Sequence, residues 1–363
     1  MPKINYITHD AWWNSDLPLL PKINKYFRIR AFIFSSVYYE KHFKVKESPY
    51  VEGIYEYERK YRLKNFLSAY SAFKFYKGVR STYEKGDILF YVFGDDPYFN
   101  LYFLIFAMSK KTIISFHNYR AHSGTPFLER FFKRIYLKWF KAFHFQSEPQ
   151  YEQFCLNHGS KNAFFTDMPS KDFGKPGGRI QLAKNNKRIF LFFGYIRDYK
   201  RLDLFIEAAN NSIDSAHFVI AGNCQAWSQY ESQIINKKKF TCNINFIDNS
   251  EIADYFTQAH FLVLPYSDTT QSGPFHIANY YNLPIIASDV LGFREIITDG
   301  RNGFLFKQGD AKDLERCINT ACVLSDREYS TLKENQQEME KQYSLKANAI
   351  GEKFKSFIDQ HLG

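Results

Sequence analysis

The sequence is poor in cysteine, and its five residues, Cys155, Cys224, Cys242, Cys317 and Cys322, are scattered with no Cys-x-x-Cys pair. This excludes a disulfide framework or a cysteine zinc site and fits a reducing compartment. Long apolar runs are also lacking. The greasiest, Tyr98–Met108, is about half the length a membrane-spanning helix needs and is interrupted by Asn100. The N-terminal stretch from Met1 to Asp10 has no long apolar signal segment. The expectation is therefore a cytoplasmic chain that does not cross a membrane. No internal repeat or low-complexity tract is visible.

With 363 residues the chain is long enough for two domains, each burying its own core. Its 38 Phe and 26 Tyr make aromatic packing a large part of those cores. A net charge of +10 points to acidic partners: nucleotide phosphates, nucleic acid or anionic lipid.

In the first half, strands are predicted at 3–8, 28–35, 88–93, 112–116, 142–146 and 162–167. Helices are predicted at 17–26, 61–83, 126–141 and 150–158, and 37–60 reads as an excursion without a clear period. The loop His9–Asp16, with Trp12, Trp13 and Asn14, follows the first strand, where an open parallel sheet places ligand contacts; Ser15 or Asp16 as a helix N-cap is the plainer alternative. Asp96 is expected to cap the helix opened by Pro97. His117 and His122 follow another strand; with no third ligand in view, His117 reads as a catalytic or substrate-contacting group rather than a metal ligand. On the helix 126–141, Arg130, Arg134, Lys138 and Lys141 form a basic stripe beside Phe and Trp. This pattern suits an anionic membrane surface, the alternative being a core helix with a solvated basic edge.

Gly174, Pro176, Gly177 and Gly178 mark a linker over 171–187. Beyond it, strands at 188–193, 217–221, 245–247, 259–265, 285–288 and 303–306 alternate with helices at 201–211, 228–238 and 250–258, one opening at Pro274, one at 293–298 and others from 311 onward. The reading is α/β, two Rossmann-like doubly wound domains facing across a cleft. The first covers 1–170, with a C-terminal helix over about 344–363 packing back on it, and the second covers 188–343.

Two loops of the second domain read as halves of one anion site. In Leu264–Pro284 a short apolar run ends at Pro265, a polar loop reaches Gln271-Ser272-Gly273, and Pro274 opens a helix whose free amides and dipole favour an anion. The bland alternative is an ordinary strand–loop–helix unit. In Gly194–Arg201, glycine lets backbone approach a ligand while Arg197, Lys200 and Arg201 crowd a helix N-terminus, where cations are unwelcome unless an anion binds. Two such cations can replace a divalent metal against a diphosphate.

These residues, with Ile286–Glu295 and Asp299–Phe306, resemble family-4 glycosyltransferases of the GT-B fold in order and spacing over roughly 188–320. The resemblance implies a nucleotide-sugar donor on the second domain and an acceptor on the first. Its diphosphate would be held by Gly194, Arg197 (in preference to Arg201), Lys200, Ser272 and Gly273. Gln271 and Glu295 would lie by the donor sugar or nucleotide, and His117 and Asp16 would be catalytic. No metal and no cofactor is implied, in keeping with the absent Asp-x-Asp spacing. One departure stands out: the two glutamates often found eight positions apart, one of them binding the ribose, fall here on Thr269 and Ile277.

The resulting expectation is a hexosyltransferase, retaining and metal-independent, moving a hexose from a UDP- or GDP-sugar to a glycan or lipid-linked acceptor in cell-surface polysaccharide biosynthesis. It would be peripheral on the cytoplasmic membrane face and bind no nucleic acid. The alternatives are a nucleotide-sugar epimerase of the same fold and a catalytically decayed sugar-nucleotide-binding protein.

Overall fold

The computed structural model describes residues 2–36, 48–57, 66–94, 96–108, 110–117, 119, 127–159, 162–182, 187–269 and 272–363. The chain divides into two compact units, Met1–Pro169 with Leu345–Gly363, and Ser170–Ser344.

The first unit is built on seven strands: β1 (Lys3–His9), β2 (Arg28–Ser36), β3 (Val51–Tyr57), β4 (Ile88–Val92), β5 (Thr112–Phe116), β6 (Ala142–Phe145) and β7 (Ala163–Phe165). They lie in the order β3-β2-β1-β4-β5-β6-β7, every pairing parallel. Strands β1, β4, β5 and β6 are buried almost throughout, as sheets covered on both faces require. One face packs Phe75, Phe99, Phe103 and Tyr136 from the helices Phe66–Thr82, Pro97–Ala107 and Phe127–Trp139. The other takes Phe354, Phe357 and Ile358 from the terminal helix Ile350–His361, with Phe354 against Phe90 and Phe164.

The second unit has six strands, β8 (Arg188–Phe193), β9 (Ala216–Ala221), β10 (Phe240–Asn243), β11 (Phe261–Leu264), β12 (Ile285–Ser288) and β13 (Gly303–Phe306). Their order is β10-β9-β8-β11-β12-β13, again all parallel. In both units the strand order reverses beside the first strand, between β1 and β4 and between β8 and β11. Those are the switch points outside which doubly wound sheets bind ligands. Residues 178–182 are tied to the helix Asn249–Gln258. Buried Asp254 accepts from the amides of Gly178, Arg179 and Ile180, and Gln258 accepts from Leu182.

Several boundaries differ from the sequence reading. The stretch after β1 is a helix, Asp10–Asp16, so Asp16 ends a helix and caps no N-terminus. Pro18 and Pro21 cut the helix expected over 17–26 down to Leu20–Ile23. Strand β3 lies inside the segment read as patternless; Glu52, Gly53 and Glu56 hide its alternation at a sheet edge. The helix expected at 228–238 stops at Glu231, and the strand expected at 245–247 is instead β10, an edge strand whose Thr241 and Asn243 obscure it. The helix expected at 293–298 is one turn, Leu291–Arg294.

Candidate functional site

At the switch point of the second unit, the loops after β8 and β11 are joined. The Ser267 amide donates to Tyr199 O at 2.8 Å, and Ser267 Oγ donates to the same carbonyl at 3.2 Å. Gly194 turns the chain out of β8 with φ +100°, its amide donating to Ala221 O. A Cβ at Gly194 would stand 3.1 Å from Lys200 Nζ and 3.6 Å from Pro274 Cγ, so the ammonium and the first turn of Gly273–Tyr280 both close on this backbone. Gly222 adjoins it with φ +147°; a Cβ there would fall 2.1 Å from Gly194 O.

Lys200 is 7% exposed. Burial, reinforced by the Arg197 charge, pushes its pKa down to about 7. No carboxylate among the described residues offsets that; what lies near is the Tyr266 ring, 5.6 Å from Nζ. Arg197 is exposed, its guanidinium 5.4 Å from the Tyr195 ring. Arg201, with φ +52°, is held bidentately by Asp203 at 2.8–3.0 Å, which leaves Arg197 as the arginine open to a ligand.

Ser272 is the N-cap of the helix Gly273–Tyr280, its hydroxyl accepting from Phe275 N at 3.3 Å. The His276 amide donates to Ser272 O and Pro274 has none, so the Gly273 amide is the first-turn donor open to a ligand among the described residues. The sequence reading missed a second buried lysine here. Lys171 Nζ would be 3.6 Å from a Cβ on Gly273, and the Lys171 amide donates to His276 O. Burial and then the Lys171 charge lower the His276 pKa to about 3. Lys171 sits in an aperiodic Gly/Pro segment about a hundred residues before Gly273, and no spacing announces that contact.

Glu295 is exposed at the end of the turn Leu291–Arg294, after β12. A Cβ on Gly292, three residues earlier, would meet Thr269 O at 2.6 Å, so the loop after β11 lies against this turn. Ile277 is buried in the unit's apolar core. Gln271 lies outside the described residues.

The switch-point end of the first unit holds His117 and Asp16. Asp16 is fully buried and accepts from Thr8 Oγ1 at 2.6 Å and Gln146 Nε2 at 3.4 Å, with His117 Nε2 at 3.2 Å. A carboxylate on that nitrogen places a proton there and orients the ring. The imidazole stacks on Trp12 at 4.2 Å and 10°, and Gln150 Nε2 donates to His117 O. The arrangement holds the imidazole, and a proton on it, at a fixed point. His122 lies outside the described residues. Among the described residues no group of three or more His, Cys, Asp or Glu is arranged for a metal ion. No described helix is long and apolar enough to cross a membrane. Arg130, Arg134 and Lys138 are exposed on the helix Phe127–Trp139; Lys141, also exposed, lies beyond its end and does not continue the stripe.

Two doubly wound parallel units, each with a strand-order switch point, define a GT-B-type fold. Residues 178–340 match the family model of glycosyl transferases, group 1. An uncharacterised glycosyltransferase of Methanocaldococcus jannaschii is 27% identical over 168 residues, 44% of this chain and 45% of that protein. The match thus spans less than half of the curated relative. Anabaena HepE in complex with UDP and glucose has the same fold, with TM-score 0.76, 15% identity and coverage of 99% of this chain and 100% of that one. Sucrose-phosphate synthase from Thermosynechococcus elongatus also shares it, with TM-score 0.74, 14% identity and the same coverage.

Proposed function

We propose that the protein transfers a hexose from a UDP- or GDP-sugar to a glycan or lipid-linked acceptor, with retention of configuration and without a metal ion. The observation that carries this is Lys200: a buried ammonium with no carboxylate partner among the described residues, against Gly194 and the opening turn of Gly273–Tyr280. An uncompensated buried cation is costly, and a diphosphate removes the cost by restoring the charged form. In this reading Lys200 and Arg197 take the charge that collects on the diphosphate as the sugar C1–O bond breaks, the acceptor oxygen bonds to C1 and the acceptor's hydroxyl proton passes to the departing diphosphate oxygen. The Gly273 amide and the helix dipole act on the same charge, and Lys171 adds a third cation. His117, oriented by Asp16, is the catalytic group this reading assigns to the first unit. The HepE complex with UDP and glucose supports a uridine nucleotide as the first donor to try. The pathway we propose is assembly of a cell-surface polysaccharide.

The test is thermal melting with UDP, GDP and their sugars. A ligand at a hundredfold excess over Kd adds about 2.7 kcal/mol to stability. Lys200→Ala should abolish that shift and most transfer. A full shift and full transfer in that variant would refute the site.

A further inference from the structure

Three neighbouring helices of the first unit share an outer face that the proposed transfer does not use. Pro97–Ala107 packs between Phe66–Thr82 and Phe127–Trp139. It contains no charged residue. Its inner side buries Phe99, Phe103 and Phe106, while Leu101, Ile105 and Met108, at helical spacing, are turned outward, Ile105 61% exposed. On one flank Phe73 is exposed and its ring lies 6.0 Å from Tyr102, beside exposed Lys74 and Lys77. On the other, Phe131 and Trp139 are exposed, Trp139 by 58%, among exposed Arg130, Arg134 and Lys138. Phe66–Thr82 has no acidic residue, and Glu129 is the single one in Phe127–Trp139. An uncharged apolar ridge bordered on both sides by cations is costly in water. A second copy of this chain would set like charges against each other.

We propose that this face docks on an anionic lipid bilayer, the ridge entering the acyl boundary while the flanking cations meet lipid phosphates. The sequence marks only the Phe127–Trp139 side; the ridge and the second flank emerge when the helices are placed together. The proposal does not rest on the transfer chemistry, because lipid binding and nucleotide binding are read separately.

The test is co-sedimentation of the full chain with vesicles of phosphatidylcholine, with and without phosphatidylglycerol. Binding should require the anionic lipid and weaken with added salt. Each basic residue near the surface is worth about fivefold in partition. Arg130→Gln with Arg134→Gln should therefore weaken binding about 25-fold, and Ile105→Glu should weaken it independently. Both variants should keep the unaltered melting curve and its nucleotide shift, which separates lipid loss from misfolding. Absence of binding, equal binding to neutral vesicles, or undiminished binding by the variants would overturn the proposal. Capture by duplex DNA in preference to anionic vesicles would also overturn it.

Discussion

Replacing Lys200 by methionine should raise the stability of the unliganded protein while destroying its response to nucleotide. Methionine keeps the length of the stem and removes the ammonium. The folded chain holds Lys200 at about 7 against an ordinary 10.5, because burial and Arg197 disfavour its charge. Below pH 7 both folded and unfolded chains carry the proton and the folded state bears the whole penalty. Between pH 7 and 10.5 the unfolded chain binds a proton the folded chain lacks, so this group makes stability rise with pH. At pH 7 the shift amounts to about 4 kcal/mol, an upper limit to the gain in Lys200→Met. For a unit of this size that is on the order of 10 °C in Tm. Melting of both proteins from pH 6 to 9, with and without UDP, provides the check. The variant's advantage should shrink as pH rises, and UDP should shift only the unaltered protein. A variant less stable at every pH, or one still shifted by UDP, would show that Lys200 is an ordinary structural lysine.

The same group predicts that UDP affinity falls by about 50-fold from pH 7 to pH 9, since binding must recharge Lys200; calorimetry in buffers of different ionisation enthalpy should show net proton uptake. Gly222→Ala should cost about 2–4 kcal/mol, because its Cβ would strike Gly194 O at a φ that side chains avoid, and urea melts should reveal it. Asp16→Asn retains a group that fills the space but not the charge behind His117. Turnover should fall by about 100-fold or more with the UDP shift intact, whereas unchanged turnover would remove the pair from catalysis. With Thr269 and buried Ile277 at the positions of the family's carboxylates, ribose recognition should be weak. Deoxy-UDP should therefore bind within about threefold of UDP, whereas losing a charged hydrogen bond to the ribose would cost about 10-fold or more.

Legibility in the sequence followed how locally each feature is determined. Strands such as Phe261–Leu264 and Ile285–Ser288 are apolar runs between turn residues, buried on both faces, and nothing but a central parallel strand suits them. The edge strands β3 and β10 were missed or displaced because one side of an edge strand meets water, which admits Glu52, Thr241 and Asn243 and erases the alternation. The site divides in the same way. Ser272 as N-cap, Gly194 as a left-handed turn and the misfit of cations at a helix start are properties of a few consecutive residues. Lys171 beside Gly273, and Asp16 facing His117 across a hundred residues, are products of packing alone. The cation count shows the limit most clearly. Composition finds three basic residues between 197 and 201, but only folding separates them: Asp203 neutralises Arg201, solvent surrounds Arg197, and Lys200 alone is buried without a carboxylate partner among the described residues. Of these three it is Lys200 for which an incoming phosphate does most, because folding has removed its water and the described residues supply no counter-charge.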